Sequence, residues 1–415
     1  MKRWLWLCLC FTPALAQADL LIPMDLTQTE HLRAYGLTYH VLQAKQEAWW
    51  LLNYRGGSFI VNDTQFSRRE AAHLGVKYEV ISGADRARLF AEIEASNMER
   101  VLLEKAPEVA IYAPPNKQPW DDAVMLALEY AEIEYTVLYD EEVLRGELDD
   151  YDWLHLHHED FTGQYGKFYA SYRGQAWYRQ QKRLYEKMAS EAGFPSVSEH
   201  KKAVARAIRT YVDGGGFLFA MCSATDSFDI AMAAEGVDIV AEPFDGDPPQ
   251  GGFQEALDFE KCIAFENFNL ISSPLVYEFS DIDATPDAAL RGEGRDYFTL
   301  FEFSAKFDPV PCMLTQNHVA VVEGFMGQTT SYRKGFLKDH VTVMGEVEGA
   351  DEVRYLHGKV GEGTFTFMGG HDPEDYSHRV GDPPTDLSLH PHSPGYRLIL
   401  NNVLFPAAEK KERKT

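Results

Sequence analysis

Cysteine is scarce in this chain of 415 residues, with five in all. Two of them, Cys8 and Cys10, fall within the first 18 residues, which leaves Cys222, Cys262 and Cys312 for the folded body. Three thiols cannot build a disulfide framework, so the fold must rest on a hydrophobic core. Pairing of Cys262 with Cys312, leaving Cys222 free, and three buried thiols are both open from sequence. Basic residues are also short: 39 Lys and Arg face 64 Asp and Glu, a formal charge of −25. Such a surface repels nucleic acid and anionic lipid, so neither is an expected partner. After residue 18 no apolar run approaches the roughly 20 residues that span a bilayer. No internal repeat is visible, and no G-x-x-x-x-G-K-[ST] phosphate loop is present.

What is present begins with a leader. Lys2 and Arg3 precede an apolar stretch that ends in Ala16-Gln17-Ala18. That pattern predicts a secretory signal peptide over residues 1–18, cleaved after Ala18. The mature protein is then expected in the periplasm or outside the cell, with no membrane insertion once the leader is gone. Residues 408–415 carry Lys410, Lys411, Arg413 and Lys414 and read as a solvated basic tail.

At this length two or three units are expected. Residues 19–107 predict a small α/β unit: a helix over 25–43, a hairpin joining 47–53 to 57–61, a helix over 66–74, a strand over 77–81, a helix over 85–95 and an exit at 99–107. The main domain starts at 108. Apolar strands at 108–114, 134–139, 151–157 and 217–221, separated by helical segments, predict an α/β fold with a doubly wound, mostly parallel, flavodoxin-like sheet. Its first part covers 108–239. An aromatic-rich segment over 161–185 interrupts it; those rings read mainly as the segment's own core. Residues 240–340 read as a partly β insertion, with strand-like pieces at 275–279 and 297–303. The sheet resumes over 341–407 with strands at 341–344, 354–358 and 364–371. Ser393 and Pro394 then open a last helix.

One stretch organises this pattern. Gly214-Gly-Gly216 stops a helix, Phe217-Leu-Phe-Ala-Met221 is an apolar strand, and Cys222 sits on the turn into the next helix. Ala220 and Ala224 flank it with small side chains. A nucleophile is often held on such a strand-to-helix elbow. The following helix N-terminus is expected to lower the Cys222 pKa, and the Ser223 amide is placed to face an oxyanion. Ligands of open parallel sheets bind at the strands' carboxyl ends. Two other polar runs fall there, His155-Leu-His-His-Glu-Asp160 and Gly370-His-Asp-Pro-Glu-Asp375. His371 is the candidate base, oriented by Glu374 or Asp372. His155, His157, His158 and Glu159 are expected to line the pocket, and Gly163 to lend a second oxyanion donor. A metal held by His155, His157 and His371 is a third reading; no metal or other cofactor is assigned.

The elbow from Phe217 to Asp229, followed by a late strand ending in His371-Asp-Pro-Glu374, resembles the class I glutamine-amidotransferase-like fold. The resemblance makes Cys222 the nucleophile and His371 the base. Glu374 stands three residues after His371 rather than two, which departs from the pattern. The stretch 360–374 with Tyr396-Arg-Leu-Ile-Leu-Asn-Asn402 is similar to the trehalose-utilisation branch of that superfamily, whose members need no catalytic cysteine. Over nearly the whole chain, including Trp153-Leu-His-Leu-His-His-Glu-Asp-Phe-Thr-Gly-Gln164, it resembles exported bacterial proteins labelled asparagine synthetase B. ATP-dependent synthetase chemistry is not expected, because the mature terminus would be Asp19 rather than a cysteine. The expected function is a thiol-dependent amidohydrolase acting on a small molecule. The alternative is a carbohydrate-binding or carbohydrate-processing protein in which Cys222 is structural.

Overall fold

The computed structural model describes residues 18–301, 304–307 and 319–408. Nearly all of the expected leader, Cys312, the end of the 297–303 piece and the basic tail beyond Ala408 lie outside them. Among the described residues no helix is long and apolar enough to cross a membrane.

Strands β1 (Asp19–Ile22), β2 (Ala48–Leu52), β3 (Ser58–Asn62), β4 (Glu79–Ile81) and β5 (Glu99–Leu103) form an antiparallel sheet in the order β4-β1-β3-β2-β5. Asn53, Gly56 and Gly57 all have positive φ and turn the β2–β3 hairpin. The expected exit at 99–107 begins instead as β5, because Val101 and Leu103 are buried against the sheet while Arg100 and Leu102 alternate outward.

The larger sheet contains β6 (Val109–Tyr112), β7 (Thr136–Leu138), β8 (Trp153–Leu156), β9 (Phe217–Met221), β10 (Tyr297–Leu300), β11 (Val321–Glu323), β12 (Tyr332–Arg333), β13 (Thr342–Glu346), β14 (Glu352–Val360) and β15 (Gly363–Met368). Among the described residues its order is β11-β10-β13-β14-β15-β9-β8-β6-β7, with β12 paired to β14. The chain is therefore a mixed α/β protein. One half of the sheet, β7-β6-β8-β9-β15, is parallel, and the other is antiparallel. Of the three late strands expected to extend a mostly parallel sheet, only β15 does so. Val360 pairs directly with Gly363 across Gly361 (φ +57) and Glu362, and a two-residue connection can only reverse the chain. Residues 275–279 form turns and bends rather than a strand, and Leu275 is exposed.

Register places the chemistry. β9 and β15 run level, with Met221 opposite Met368, so Cys222 and Gly369 leave the sheet together. Leu156 lies opposite Ala220 and Tyr112 opposite Leu156, which brings His157 and the loop after β6 to the same carboxyl edge. The helix Val197–Asp213 packs beneath, N-capped by Ser196, whose Oγ accepts the Glu199 amide at 3.2 Å. Its buried face holds Val204, Ile208 and Val212, each contributing about 1.5–3 kcal/mol of burial. The insertion is tied to the elbow helix Ala224–Ala233 by the buried Asp229 carboxylate. It accepts the amides of Ile263, Ala264 and Phe265, each at 2.8 Å. Cys262 is a free, buried thiol that donates to the Asp229 carbonyl at 3.3 Å, and Cys312, its expected partner, lies outside the described residues.

Candidate active site

Cys222 has φ +53, a left-handed conformation that costs a non-glycine residue roughly 1–2 kcal/mol. Such strain persists only where the surroundings impose it, and it concentrates at functional sites. Here β9 and the helix Ala224–Ala233 fix both sides of the turn: the Thr225 amide returns to the Cys222 carbonyl at 3.2 Å, and the Ala224 amide reaches the His157 carbonyl at 3.0 Å. The sulfur accepts the Gln328 amide at 3.1 Å, and the Ser223 and Thr329 amides also favour its charged form. Burial outweighs them. It pushes the thiol up to about 11, against the lowering expected from the helix terminus. The dipole loses because the thiol has almost no access to water and Asp226 adds negative charge nearby.

The thiol forms part of the wall of a cavity of about 360 Å³. Trp120, Phe168, Tyr172 and Tyr277 supply an aromatic side, and His158, His371 and His378 an imidazole side. Met326, Gly327 and Gln328 come from the insertion. Of the aromatic segment 161–185, Phe161, Tyr165, Tyr178 and Tyr185 are core residues, as expected, while Phe168 and Tyr172 face the cavity.

The imidazole side is dense. His157 and His158 stack with ring centroids 3.8 Å apart, and His371 and His378 stack at 4.5 Å. The two pairs meet where His371 lies 4.8 Å from His157 and 4.6 Å from His158. Burial, then the neighbouring His158, His157 and His378, hold His371 well below the ordinary histidine range, so it is a neutral ring. His378 is the opposite case. Its Nε2 is 2.7 Å from Asp121 and its Nδ1 2.9 Å from Asp375, and those carboxylates raise it to about 9.

The expected residues separate on this geometry. Cys222 and His371 share the cavity, but among the described residues neither His371 nitrogen has a hydrogen-bond partner, so no thiol–imidazole bond is formed. Glu374 does not orient His371; its Oε2 lies 2.9 Å from His390 Nδ1. Asp372 does not orient it either, since its oxygens accept the Glu374 amide at 2.9 Å and Thr385 Oγ1 at 2.8 Å. Gly370 at φ +95 and the following Pro373 turn the chain, and counting residues past a strand does not anticipate that turn. Ser223 keeps its amide beside the sulfur. Gly163 (φ +85) lies against the Ser198 backbone, where a Cβ would come within 2.6 Å of Cα, and it does not line the cavity. His155 is fully buried behind the site, contacting the Phe219 carbonyl at 3.1 Å and Asp122 at 3.2 Å. His157 Nδ1 contacts the other Asp122 oxygen at 3.2 Å, and His158 lines the cavity. Glu159 points away into a buried group, 3.1 Å from Tyr139 Oη and 3.8 Å from Lys201 Nζ, and burial raises it to about 7.

Sequence reasoning missed four contributors: Gln328, Asp121, Asp122 and His378. Asp122 alone had a readable local signature, since its carboxylate caps the helix Ala123–Ala131 through the Val124 and Met125 amides at 2.8 and 3.1 Å.

Asp226, in the first turn of the elbow helix, is buried and accepts from Thr329 Oγ1 at 2.9 Å. Burial raises it to about 7. Between its unfolded pKa near 4 and that value the folded state holds the extra proton. Its share of stability is therefore present at low pH and lost as pH rises through about 7. Asp226→Asn, which stays neutral, is expected to gain on the native chain by about 2 kcal/mol between pH 5.5 and 8.5. Urea unfolding at the two pH values checks this.

No family model matches the chain, and no curated protein matches it. Among solved structures it is similar to Cytoplasmic Protein STM3548 from Salmonella typhimurium, at 10% identity and TM-score 0.34, over 73% of this chain and 100% of that one. Cytoplasmic Protein STM1381 from Salmonella typhimurium LT2 matches at 9% identity and TM-score 0.36, with the same coverage. Gan42B, a GH42 beta-galactosidase, matches at 13% identity and TM-score 0.27, over 65% of this chain and 28% of that one.

Proposed function

We propose that this chain is an exported hydrolase of the class I glutamine-amidotransferase-like type, in which Cys222 attacks the carbonyl of a small amide. The carrying observation is the strained Cys222 elbow, with its sulfur under the Gln328 amide on the wall of an aromatic and imidazole cavity. The parallel strands support the fold assignment: numbered in chain order they lie 2-1-3-4-5, the flavodoxin-like order. The leader and the absence of a phosphate loop support export and argue against synthetase chemistry.

In the reaction the sulfur–hydrogen bond breaks as its proton passes to the imidazole side, and a sulfur–carbon bond forms. The Gln328, Ser223 and Thr329 amides ease the build-up of charge at the sulfur. The carbon–nitrogen bond then breaks, the leaving amine takes the proton, and water hydrolyses the thioester to the acid. A resting thiolate–imidazolium pair is not part of this account, since the thiol is raised and His371 lowered. Substrate must bring the two together.

The aromatic wall of Trp120, Phe168, Tyr172 and Tyr277 favours one second reading, a carbohydrate-binding site with a passive Cys222, because ring faces suit sugars as well as flat amides.

Iodoacetamide labelling of native protein separates the two. Cys222 is expected to react slowly at neutral pH and faster as pH approaches 11, with the reaction slowed by small amides that raise the melting temperature. Stabilisation by sugars alone, with labelling unaffected by amides, would favour the carbohydrate reading and sink the thiol one.

A further inference from the structure

The imidazole side of the cavity spends few of its ring nitrogens on hydrogen bonds. Among the described residues, both nitrogens of His157 and of His371 lack a well-formed hydrogen bond, as do Nε2 of His378 and both carboxylate oxygens of Asp121. His157 and His371 are 1% and 7% exposed, so these nitrogens are shut off from bulk water. Buried polar atoms are nearly always satisfied, and a cluster of unsatisfied ones asks for a missing partner. Packing alone explains stacked rings, but not why so many of their nitrogens converge without donors or acceptors between them.

The convergence is close. His157, His158 and His371 can each offer one ligand atom, with these atoms all within 4.8 Å of one another. Asp121, His371 and His378 do the same, so His371 is the corner the two groups share. In a tetrahedral site with bonds of 2.0–2.1 Å, ligand atoms stand about 3.4 Å apart, a contraction that side-chain rotation supplies. Asp121 Oδ1 and His378 Nε2 stand 2.7 Å apart, close enough to face one ion together.

The outer contacts have the form that orients metal ligands. His378 Nδ1 lies on Asp375 at 2.9 Å, His158 Nε2 on the Asp121 carbonyl at 2.8 Å and His157 Nδ1 beside Asp122 at 3.2 Å. Each leaves the opposite ring nitrogen for an ion, as carboxylates and carbonyls do behind ligating histidines.

We infer that His157, His158, His371, His378 and Asp121 hold one divalent transition-metal ion of the zinc type on the wall of the cavity that contains Cys222. Imidazole with a single carboxylate suits zinc, cobalt or nickel and disfavours calcium or magnesium, which take oxygen ligands. The ion adds positive charge where a substrate carbonyl would lie. With it bound, His371 would serve as a ligand, and the ion would supply Lewis-acid polarisation to a substrate held in the cavity. The site differs from the sequence-level set, since His155 is taken up by Phe219 and Asp122. Its existence does not depend on the thiol chemistry.

The test is calorimetric titration of Zn²⁺ into untagged, chelator-stripped protein, with Co²⁺ absorption reporting the ligand field. One equivalent is expected to bind, with visible Co²⁺ bands of a four- or five-coordinate site. His371→Asn should abolish binding, and Asp375→Asn, which removes only the carboxylate behind His378, should weaken it about 10-fold. Should His371→Asn fail to fold, His378→Asn at the rim replaces it. Cys222→Ala should leave binding unchanged, so failure of the metal site and failure of the thiol reading are told apart. No bound metal, or unaltered binding in the histidine variants, overturns the inference.

Discussion

Arg354→Met is expected to lower the unfolding free energy by about 3–5 kcal/mol. Arg354 on β14 is fully buried, and its Nη2 contacts the two Asp296 oxygens at 2.7 and 2.6 Å. Asp296 is equally buried and also takes Arg291 Nε at 3.0 Å, while Arg291 grips Glu352 through two bonds of 2.7 Å. Removing the guanidinium leaves a carboxylate in the interior with only one of its partners. The consequence reaches the site: Glu352 accepts from Ser331 at 2.8 Å, and the Gly324 amide is held by the Asp296 carbonyl at 2.7 Å. These anchors bracket the loop that brings Gln328 onto Cys222. Arg354→Met should therefore also quicken alkylation of Cys222. The double variant Arg354→Met with Asp296→Leu should recover most of the lost stability, since an apolar pair can replace a buried ion pair at little cost. Urea denaturation measures both, and a double variant no better than the single one would contradict this explanation.

Cys222→Ala is expected to lower turnover of an amide substrate by roughly 10³-fold or more while the fold persists. Cys222→Ser should fall nearly as far, because the hydroxyl is a poorer nucleophile in a site without a hydrogen-bonded base. Binding should change little in either, since the aromatic side of the cavity is untouched. Steady-state kinetics with a separate binding measurement distinguishes this from a structural effect, which would weaken binding as well.

The elbow was legible because each of its parts has a local cause. Three glycines end the helix, five apolar residues make β9, and the small side chains at Ala220 and Ala224 leave room for the turn. The carboxyl-edge rule then drew in His157, His158 and His371 without any knowledge of distances. What failed was whatever depended on direction rather than position. Glu374 sits near His371 in sequence, yet it faces His390. Gly163 lies at the start of the aromatic segment, yet it packs against Ser198. Gln328 could not be found at all, because it lies 106 residues from Cys222 and only the tertiary fold brings it there. The reversal of β14 against β15 was missed for a smaller reason, a two-residue turn at Gly361 and Glu362 read as the gap between parallel strands.

The Cys222 turn, taken from sequence as a strand-to-helix elbow, thus carries a measurable strain, a raised thiol and a wall of imidazoles facing the same space. The most direct test of its role is intact-protein mass spectrometry after brief mixing with an amide or activated ester that stabilises the fold. The account predicts a transient acyl adduct on the Cys222 peptide, released by hydroxylamine and absent from Cys222→Ala. Turnover with no adduct on Cys222, or turnover undiminished in Cys222→Ala, would contradict it.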